Sequence, residues 1–324
     1  MMKPFESFLA PTLEEYIAYR RDLGYTEKGL RQCLSYLDRY LQAKQVWWGA
    51  FSPSFFLDFR ATLKQNPRTV NGIMSTVHGF FQYLQRIGYC DQNPLSDIPP
   101  IKELHFIPFV FSPEQIELLL KGLQNRLRKT EKYFLKDLAE YNAIVLLARC
   151  GLRISEPTRL LLSHFRPQEA TIYIEKTKFK KDRLIPVPRS VIKEVENYLA
   201  LRRSFLCEDK YPYLLICGKQ KRLTRTQLYP TFNRAVKDMG FDQAKKVYAN
   251  TVFGRPTPHS LRHSFAINTL MRIKQKGKSP QNALPILAAY MGHRQYRDTA
   301  VYLKVIDAQQ RLELLSFTRS RGQS

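Results

Sequence analysis

Apolar residues recur at spacings of three and four in four early stretches: Thr12 to Leu23, Thr26 to Ala43, Ser54 to Leu63 and Thr69 to Ile87. That is the period of an amphipathic helix, and Gly24, Pro53 and Gly88 punctuate it. The pattern predicts a small helical domain over residues 1–95. From Cys90 to Val110 the period stops and prolines cluster at Pro94, Pro99, Pro100 and Pro108, so residues 96–110 read as an extended linker. Beyond it, Ser112, Pro113 and Glu114 supply an N-cap, a first-turn proline and a first-turn acid to a helix over Ile116 to Leu123. A second helix from Tyr133 to Cys150 is stopped by Gly151. Thr171 to Glu175 alternates as a strand does, and Arg183 to Val187 answers it across a lysine-rich turn, which predicts a β-hairpin. Helical patterning returns at Val191 to Phe205 and dominates to the end. Residues 111–324 are thus predicted to form a second, mostly helical domain with a small β-sheet, and the fold class is mainly α.

Composition adds a partner to this outline. With 324 residues and 44% hydrophobic content the chain can fill two cores, which excludes disorder as a class. It carries 52 Lys and Arg against 28 Asp and Glu, a net charge of +24, so a polyanion is expected: nucleic acid or an anionic membrane surface. The longest apolar runs, Ala143 to Ala148 and Ile286 to Ala289, fall far short of the roughly 20 residues that span a bilayer. The opening MMKPFESFLAP lacks a basic segment followed by an apolar core, so no secretion signal is read and a cytoplasmic, nucleoid-associated protein is expected. Five cysteines without CxxC spacing fit core thiols in a reducing compartment better than disulfides or a zinc cluster. The charge is uneven. Residues 1–110 hold 12 basic and 10 acidic groups, whereas 111–324 hold 40 and 18, so the positive field belongs to the larger domain. In the smaller one Arg20, Arg21, Arg31, Arg68 and Arg86 remain candidates for phosphate contact.

Four short segments of the larger domain stand out: Gly151-Leu152-Arg153-Ile154-Ser155-Glu156, the basic turn Lys176 to Arg183, His259-Ser260-Leu261-Arg262-His263, and Gly292-His293 with Tyr302 nine residues after the histidine. Each alone has a bland reading as a cap, a solvated turn or a core aromatic. In this order and at these separations they closely resemble the tyrosine recombinase, or phage integrase, family, whose signature is Arg, Lys, His-x-x-Arg, His or Trp, then Tyr. The resemblance spans the whole chain, since that family also pairs a small SAM-like helical core-binding domain, which clamps DNA, with a larger catalytic domain. It implies Arg153, Arg262 and His293 at the scissile phosphate, Glu156 as a supporting acid and Lys178 as the general acid of the hairpin. It further implies His259 as the base that helps deprotonate the nucleophile, Tyr302. Lys176, Lys180, Lys181 and Arg183 crowd the same hairpin and are read as DNA contacts.

The chemistry supports these residue types. In-line attack on a phosphodiester places extra negative charge on the nonbridging oxygens, which metal ions or guanidinium groups must neutralise. No carboxylate cluster near these segments suits two Mg²⁺ ions, whereas Arg153 and Arg262 offer planar forks that stay charged, so neither metal nor cofactor is expected. His259 and Arg262, three apart after Pro258, share a helix face at a helix start. Reading His259 and His263 as zinc ligands lacks the Glu of HExxH, and His263 reads as packed or capping. Tyr290 and Tyr296 are positional rivals to Tyr302. A phenol with pKa about 10 needs neighbouring cations to act as a nucleophile at neutral pH. No GxxxxGK[ST] loop is present, in keeping with a covalent intermediate that conserves bond energy without ATP.

The chain departs from the family in three places. Phe179 and Lys180 stand where the hairpin turn usually carries glycine, Ser260 replaces the commoner acid, and Lys274 to Pro285 reads as an extra polar loop. A tail helix is expected from Asp307 to Phe317, docking in cis or on a neighbour. The resemblance implies a site-specific recombinase acting on double-stranded DNA with inverted-repeat half-sites. It implies a homo-tetramer on DNA, weakly associated or monomeric without it, that passes through a Holliday junction for integration, excision or resolution of a mobile element. A type IB-like topoisomerase and a non-catalytic DNA-binding architectural protein are the alternatives.

Overall fold

The computed structural model describes residues 3–175, 182–206, 210–217, 221–293 and 295–306. The chain divides into two compact units, Met1–Leu104 and His105–Ser324.

The first unit is built from α1 (Ala10–Asp22), α2 (Glu27–Lys44), α3 (Pro53–Thr62) and α4 (Pro67–Arg86). Helices α3 and α4 each open on a proline, which lacks an N–H the first turn could not use, behind a side-chain cap. Ser52 Oγ accepts from the Phe55 N–H at 3.3 Å and Asn66 Oδ1 from the Thr69 N–H at 3.0 Å. The inner faces meet in one cluster that includes Leu13, Leu37, Phe56, Phe59, Val77, Phe80 and Phe81. Asp38 is buried, and its carboxylate accepts the Glu6 and Ser7 N–H groups at 3.1 and 2.9 Å, tying the chain start to α2.

Residues 96–110 are not a free linker. Proline removes donors but leaves carbonyls, and these find partners: Arg60 Nη1 donates to Pro99 O at 2.7 Å, and Asn71 exchanges two hydrogen bonds with Ile101, each 2.8 Å. Four residues after Ile101 the chain enters a strand of the second unit.

That unit holds α5 (Pro113–Asn125), α6 (Glu131–Cys150), α7 (Arg189–Phe205), α8 (Arg225–Asp238), α9 (Pro258–Gln275), α10 (Pro280–Met291) and α11 (297–306). Helix α6 is its axis: Ala143, Ile144, Val145, Leu146, Leu147 and Ala148 are all buried, the signature of a helix covered on every side. Helices α5, α7, α8 and α9 surround it. Its strands are β1 (His105–Ile107), β2 (Phe165–Arg166), β3 (Thr171–Ile174), β4 (Arg183–Pro186), β5 (Ile216–Cys217), β6 (Lys221–Arg222), β7 (Lys246–Tyr248) and β8 (Thr251–Phe253). The predicted hairpin is β3–β4, with Ile172 opposite Ile185 and Ile174 opposite Arg183, extended by β2 on its other edge. A second sheet pairs β1 parallel to β8, with β7 antiparallel on the far side, and β5–β6 is a separate pair. Among the described residues there are three small sheets where one is expected, because strands of two or three residues show too little alternation to register as period two.

The expected loop from Lys274 to Pro285 is corrected likewise. Helix α9 runs through Gln275, Gly277 takes φ +71°, and Pro280 opens α10, so a proline and a glycine that suggest a loop are instead a helix stop and a helix start. Helices α9, α10 and α11 share a separate core of Ile267, Leu270, Leu284, Leu287, Met291, Tyr302, Val305 and Ile306. Among the described residues no helix is long and apolar enough to cross a membrane.

Gly151 closes α6 at φ +58°, and a β-carbon there would lie 2.4 Å from Cδ1 of Phe265, whose ring is stacked on Tyr290. Gly151→Ala is expected to lower stability by about 1–3 kcal/mol in urea denaturation, from backbone strain and the clash together. Gly240→Ala, at φ +67° with open space around it, is expected to cost less.

Candidate active site

The turn after α6 folds back on itself. Glu156 N–H donates to Arg153 O at 2.7 Å, while the Glu156 carboxylate accepts the Arg153 N–H at 2.8 Å and Arg153 Nη1 at 3.0 Å. The same carboxylate, almost fully buried, takes a fork from Arg183 of β4, Nη1 at 3.1 Å and Nη2 at 2.9 Å. Burial pushes the Glu156 carboxyl up, but the Arg183 hydrogen bonds and charge and the Arg153 N–H outweigh it and hold the group below the usual carboxylate range.

Three guanidinium groups converge on the end of α10. Arg183 Nε donates to Tyr290 O at 2.8 Å, Arg262 Nη2 to Met291 O at 2.5 Å and Arg153 Nη2 to Gly292 O at 2.5 Å. Arg262 spends its other arm on the end of α6, donating from Nη1 to Gly151 O at 2.7 Å. Helix C-termini carry unpaired carbonyls and a partial negative charge, so arginines are the natural partners for both ends. Gly292 leaves room for this: its φ is +64°, and a β-carbon would lie 3.0 Å from Arg183 Nη1.

Helix α9 begins in a reciprocal cap, with the Thr257 N–H donating to Ser260 Oγ at 3.0 Å. Here Ser260 fills the place the family gives to an acid. From this start His259, Arg262 and His263 rise on one face. The His259 and His263 rings meet edge to face at 4.5 Å, and His263 Nδ1 lies 3.2 Å from the Tyr302 hydroxyl on α11. His293, just past α10, is held by Thr299 Oγ1 at 2.7 Å from its Nδ1, its ring 6.1 Å from that of Tyr302.

Positive charge is in excess here. Burial, then repulsion from Arg153, brings the Arg262 pKa down to about 10, which still leaves it charged at neutral pH. Burial, then the charges of His259 and Arg262, lowers His263 to about 3; burial, then Arg262, lowers His293 to about 4. His259 is lowered by the same causes although its surface is open to solvent. Tyr302 departs from the sequence expectation. Its phenol is 4% exposed and burial raises its pKa, more than Arg262 and Arg153 lower it, so the protein alone does not favour the phenolate.

The structure thus brings Arg153, Glu156, His259, Arg262, His293 and Tyr302 together. Lys178, Lys176, Lys180, Lys181 and the tail helix lie outside the described residues. Two sequence-based candidates for DNA contact have carboxylate partners in the structure. The Arg183 side chain is 9% exposed and committed to Glu156 and Tyr290 O, and Arg31 is clasped by Glu14, Nη1 to Oε1 at 2.6 Å, with Glu27 beside it. Arg20 lies 3.8 Å from the centroid of the Tyr25 ring and donates to the Tyr16 hydroxyl, Arg86 donates to the Tyr19 hydroxyl, Arg21 pairs with Asp22 in the open, and Arg68 is exposed. Sequence reading missed the roles of Arg183, His263 and Thr299. For His263 the signal was present, since its spacing of four from His259 shares a helix face. Among the described residues no group of three or more His, Cys, Asp or Glu is placed to hold a metal.

The model of the phage integrase family matches residues 110–309, the span that holds every one of these site residues. The chain belongs to that family. It is 28% identical to a putative integrase/recombinase, y4rB, of Sinorhizobium fredii over 300 residues, 90% of this chain and 91% of that one. It is 26% identical to the tyrosine recombinase XerA of Pyrococcus furiosus over 297 residues, 90% and 89% of the two chains. In fold it is similar to the XerH site-specific recombinase bound to palindromic difH substrate (TM-score 0.67, 19% identity, 94% of this chain and 83% of that one). It is similar also to the Tn1549 transposon integrase in complex with transposon right end DNA (TM-score 0.65, 19% identity, 93% and 98%). Family membership makes the chain a tyrosine recombinase, an enzyme of DNA strand transfer.

Arg183→Ala is expected to destabilise the protein by about 3 kcal/mol, because it strips a buried carboxylate of a partner. It should leave the salt dependence of DNA binding unchanged, whereas loss of a true phosphate contact lowers the slope of log K against log salt by about 0.9. A lowered carboxyl contributes stability above its unfolded-state pKa and loses it as pH falls through the folded value. The stability gap between the natural protein and Glu156→Gln, measured in urea, should therefore close as pH drops below the usual carboxylate range.

Proposed function

We propose that this protein is a site-specific recombinase that cleaves and rejoins DNA through a phosphotyrosyl bond at Tyr302. The observation that carries this reading is the juxtaposition of the Tyr302 hydroxyl with His263 within the field of Arg262 and Arg153. A phosphodiester bound against Arg153, Arg262 and His293 would meet planar donors and a positive field set in place by the fold, which stabilises the pentavalent transition state without reorganisation. Tyr302 Oη attacks the phosphorus, the 3′-phosphotyrosyl bond forms, and the 5′ oxygen departs. Lys178, five residues before the Arg183 that binds Glu156, protonates the leaving oxygen. The same bond, attacked by the 5′-hydroxyl of a second strand, restores the DNA backbone in a new connection without ATP.

The net charge of +24 and the family support double-stranded DNA as the partner. On this reading protomers pair on inverted-repeat half-sites, assemble as a tetramer and exchange strands through a Holliday junction. Integration, excision or resolution of a mobile element is the role proposed, in line with the putative integrase/recombinase relatives of Sinorhizobium fredii.

Incubation with nicked duplexes carrying inverted repeats, in EDTA, should yield a denaturant-resistant protein–DNA adduct. Tyr302→Phe should abolish the adduct, and Arg262→Ala should slow its formation by about 100-fold or more. Adduct formation by Tyr302→Phe, or a strict need for Mg²⁺, would refute the mechanism.

A further inference from the structure

We infer that His263 is the group that takes the proton from Tyr302 as it attacks phosphorus. The inference rests on the reading of Tyr302 as nucleophile and moves the base from His259 to the next histidine on the helix. Among the described residues, His263 is the one whose side chain lies within hydrogen-bond distance of the hydroxyl, Nδ1 to Oη 3.2 Å. His259 stands one helical turn earlier and packs its ring edge to face on that of His263, which makes it a positioning residue for the base.

Protonation states agree with the geometry. Burial, then the neighbouring His259 and Arg262, holds the His263 imidazole neutral, so Nδ1 can present a lone pair to the phenol. A weak base is a poor catalyst; burial weakens it most, and the neighbouring charge of Arg262, which faces the proposed phosphate position, weakens it further. A bound phosphodiester offsets that charge, so His263 gains basicity when substrate arrives. The ring also lines a pocket of about 290 Å³ with His259, Phe106, Phe109, Lys245 and Arg255.

The step balances within the site. The Oη–H bond breaks and its proton passes to Nδ1. The freed electron pair forms the Oη–P bond, the P–O5′ bond breaks with its pair on O5′, and the hairpin lysine supplies a proton there. During rejoining His263 returns its proton to the departing phenolate.

The test is single-turnover cleavage of a nicked duplex by the full chain. His263→Ala should cleave about 100-fold more slowly, the scale of a lost general base. Replacing Tyr302 with 3,5-difluorotyrosine, whose phenol ionises more readily, should restore at least a tenth of that rate in the His263→Ala background and change the natural protein little. A 5′-phosphorothiolate substrate, whose leaving group needs no proton, should rescue Lys178→Ala but not His263→Ala. Should the alanine variant fail to fold, His263→Asn keeps a polar contact to Oη without accepting a proton and should show the same deficit and the same fluorotyrosine rescue. Cleavage by either variant within threefold of the natural rate overturns the proposal, as does a deficit that difluorotyrosine leaves unchanged, which would mark a purely structural role. Adduct formation by Tyr302→Phe would instead remove the nucleophile reading itself.

Discussion

Three arginines grip three consecutive carbonyls at the end of α10. Arg183 holds Tyr290 O, Arg262 holds Met291 O and Arg153 holds Gly292 O, each arriving from a different element: β4, α9 and the turn after α6. The physical need is mutual. A helix end leaves carbonyls that must be paired once buried, and guanidinium groups drawn into the interior must find acceptors. Glu156 completes the arrangement by neutralising part of the charge that would otherwise drive Arg153 and Arg183 apart.

From this junction the rest of the site follows. His293 leaves α10 one residue after the last gripped carbonyl, and its contact with Thr299 sets the start of α11, on which Tyr302 sits. Helix α9, pinned at both ends of the Arg262 fork, carries His259 and His263 to the same place. The outcome is a concentration of positive charge that Glu156 offsets in part. Burial first, and this charge second, depress the pKa values of Arg262, His263 and His293, and an anion would relieve the second cause.

A close reading of the chain recovers much of this. The helices of the first unit, the stop at Gly151 and the β3–β4 hairpin are all legible, because long amphipathic periods, a left-handed glycine and alternation are local signals. The site residues are legible through order and spacing, which reflect shared chemistry. Arg183 is not, since nothing local separates a buried guanidinium from a solvated one in a run of lysines and arginines. The short strands β1, β7 and β8 are hidden too, because three residues each show little alternation and β1 pairs far along the chain, Phe106 with Val252.

The sequence by itself determined the class of the protein: two units, a basic larger one, and an ordered set of arginine, histidine and tyrosine that belongs to one kind of chemistry. Tertiary structure alone decided which charges face outward and which are spent inside. It paired Arg183 with Glu156 and Arg31 with Glu14, and it set His263 rather than His259 against the Tyr302 hydroxyl. It also buried that phenol, so its pKa rises despite two nearby arginines. The reason is that residue type and spacing are properties of the chain, whereas desolvation and partnership depend on which distant elements close around a side chain.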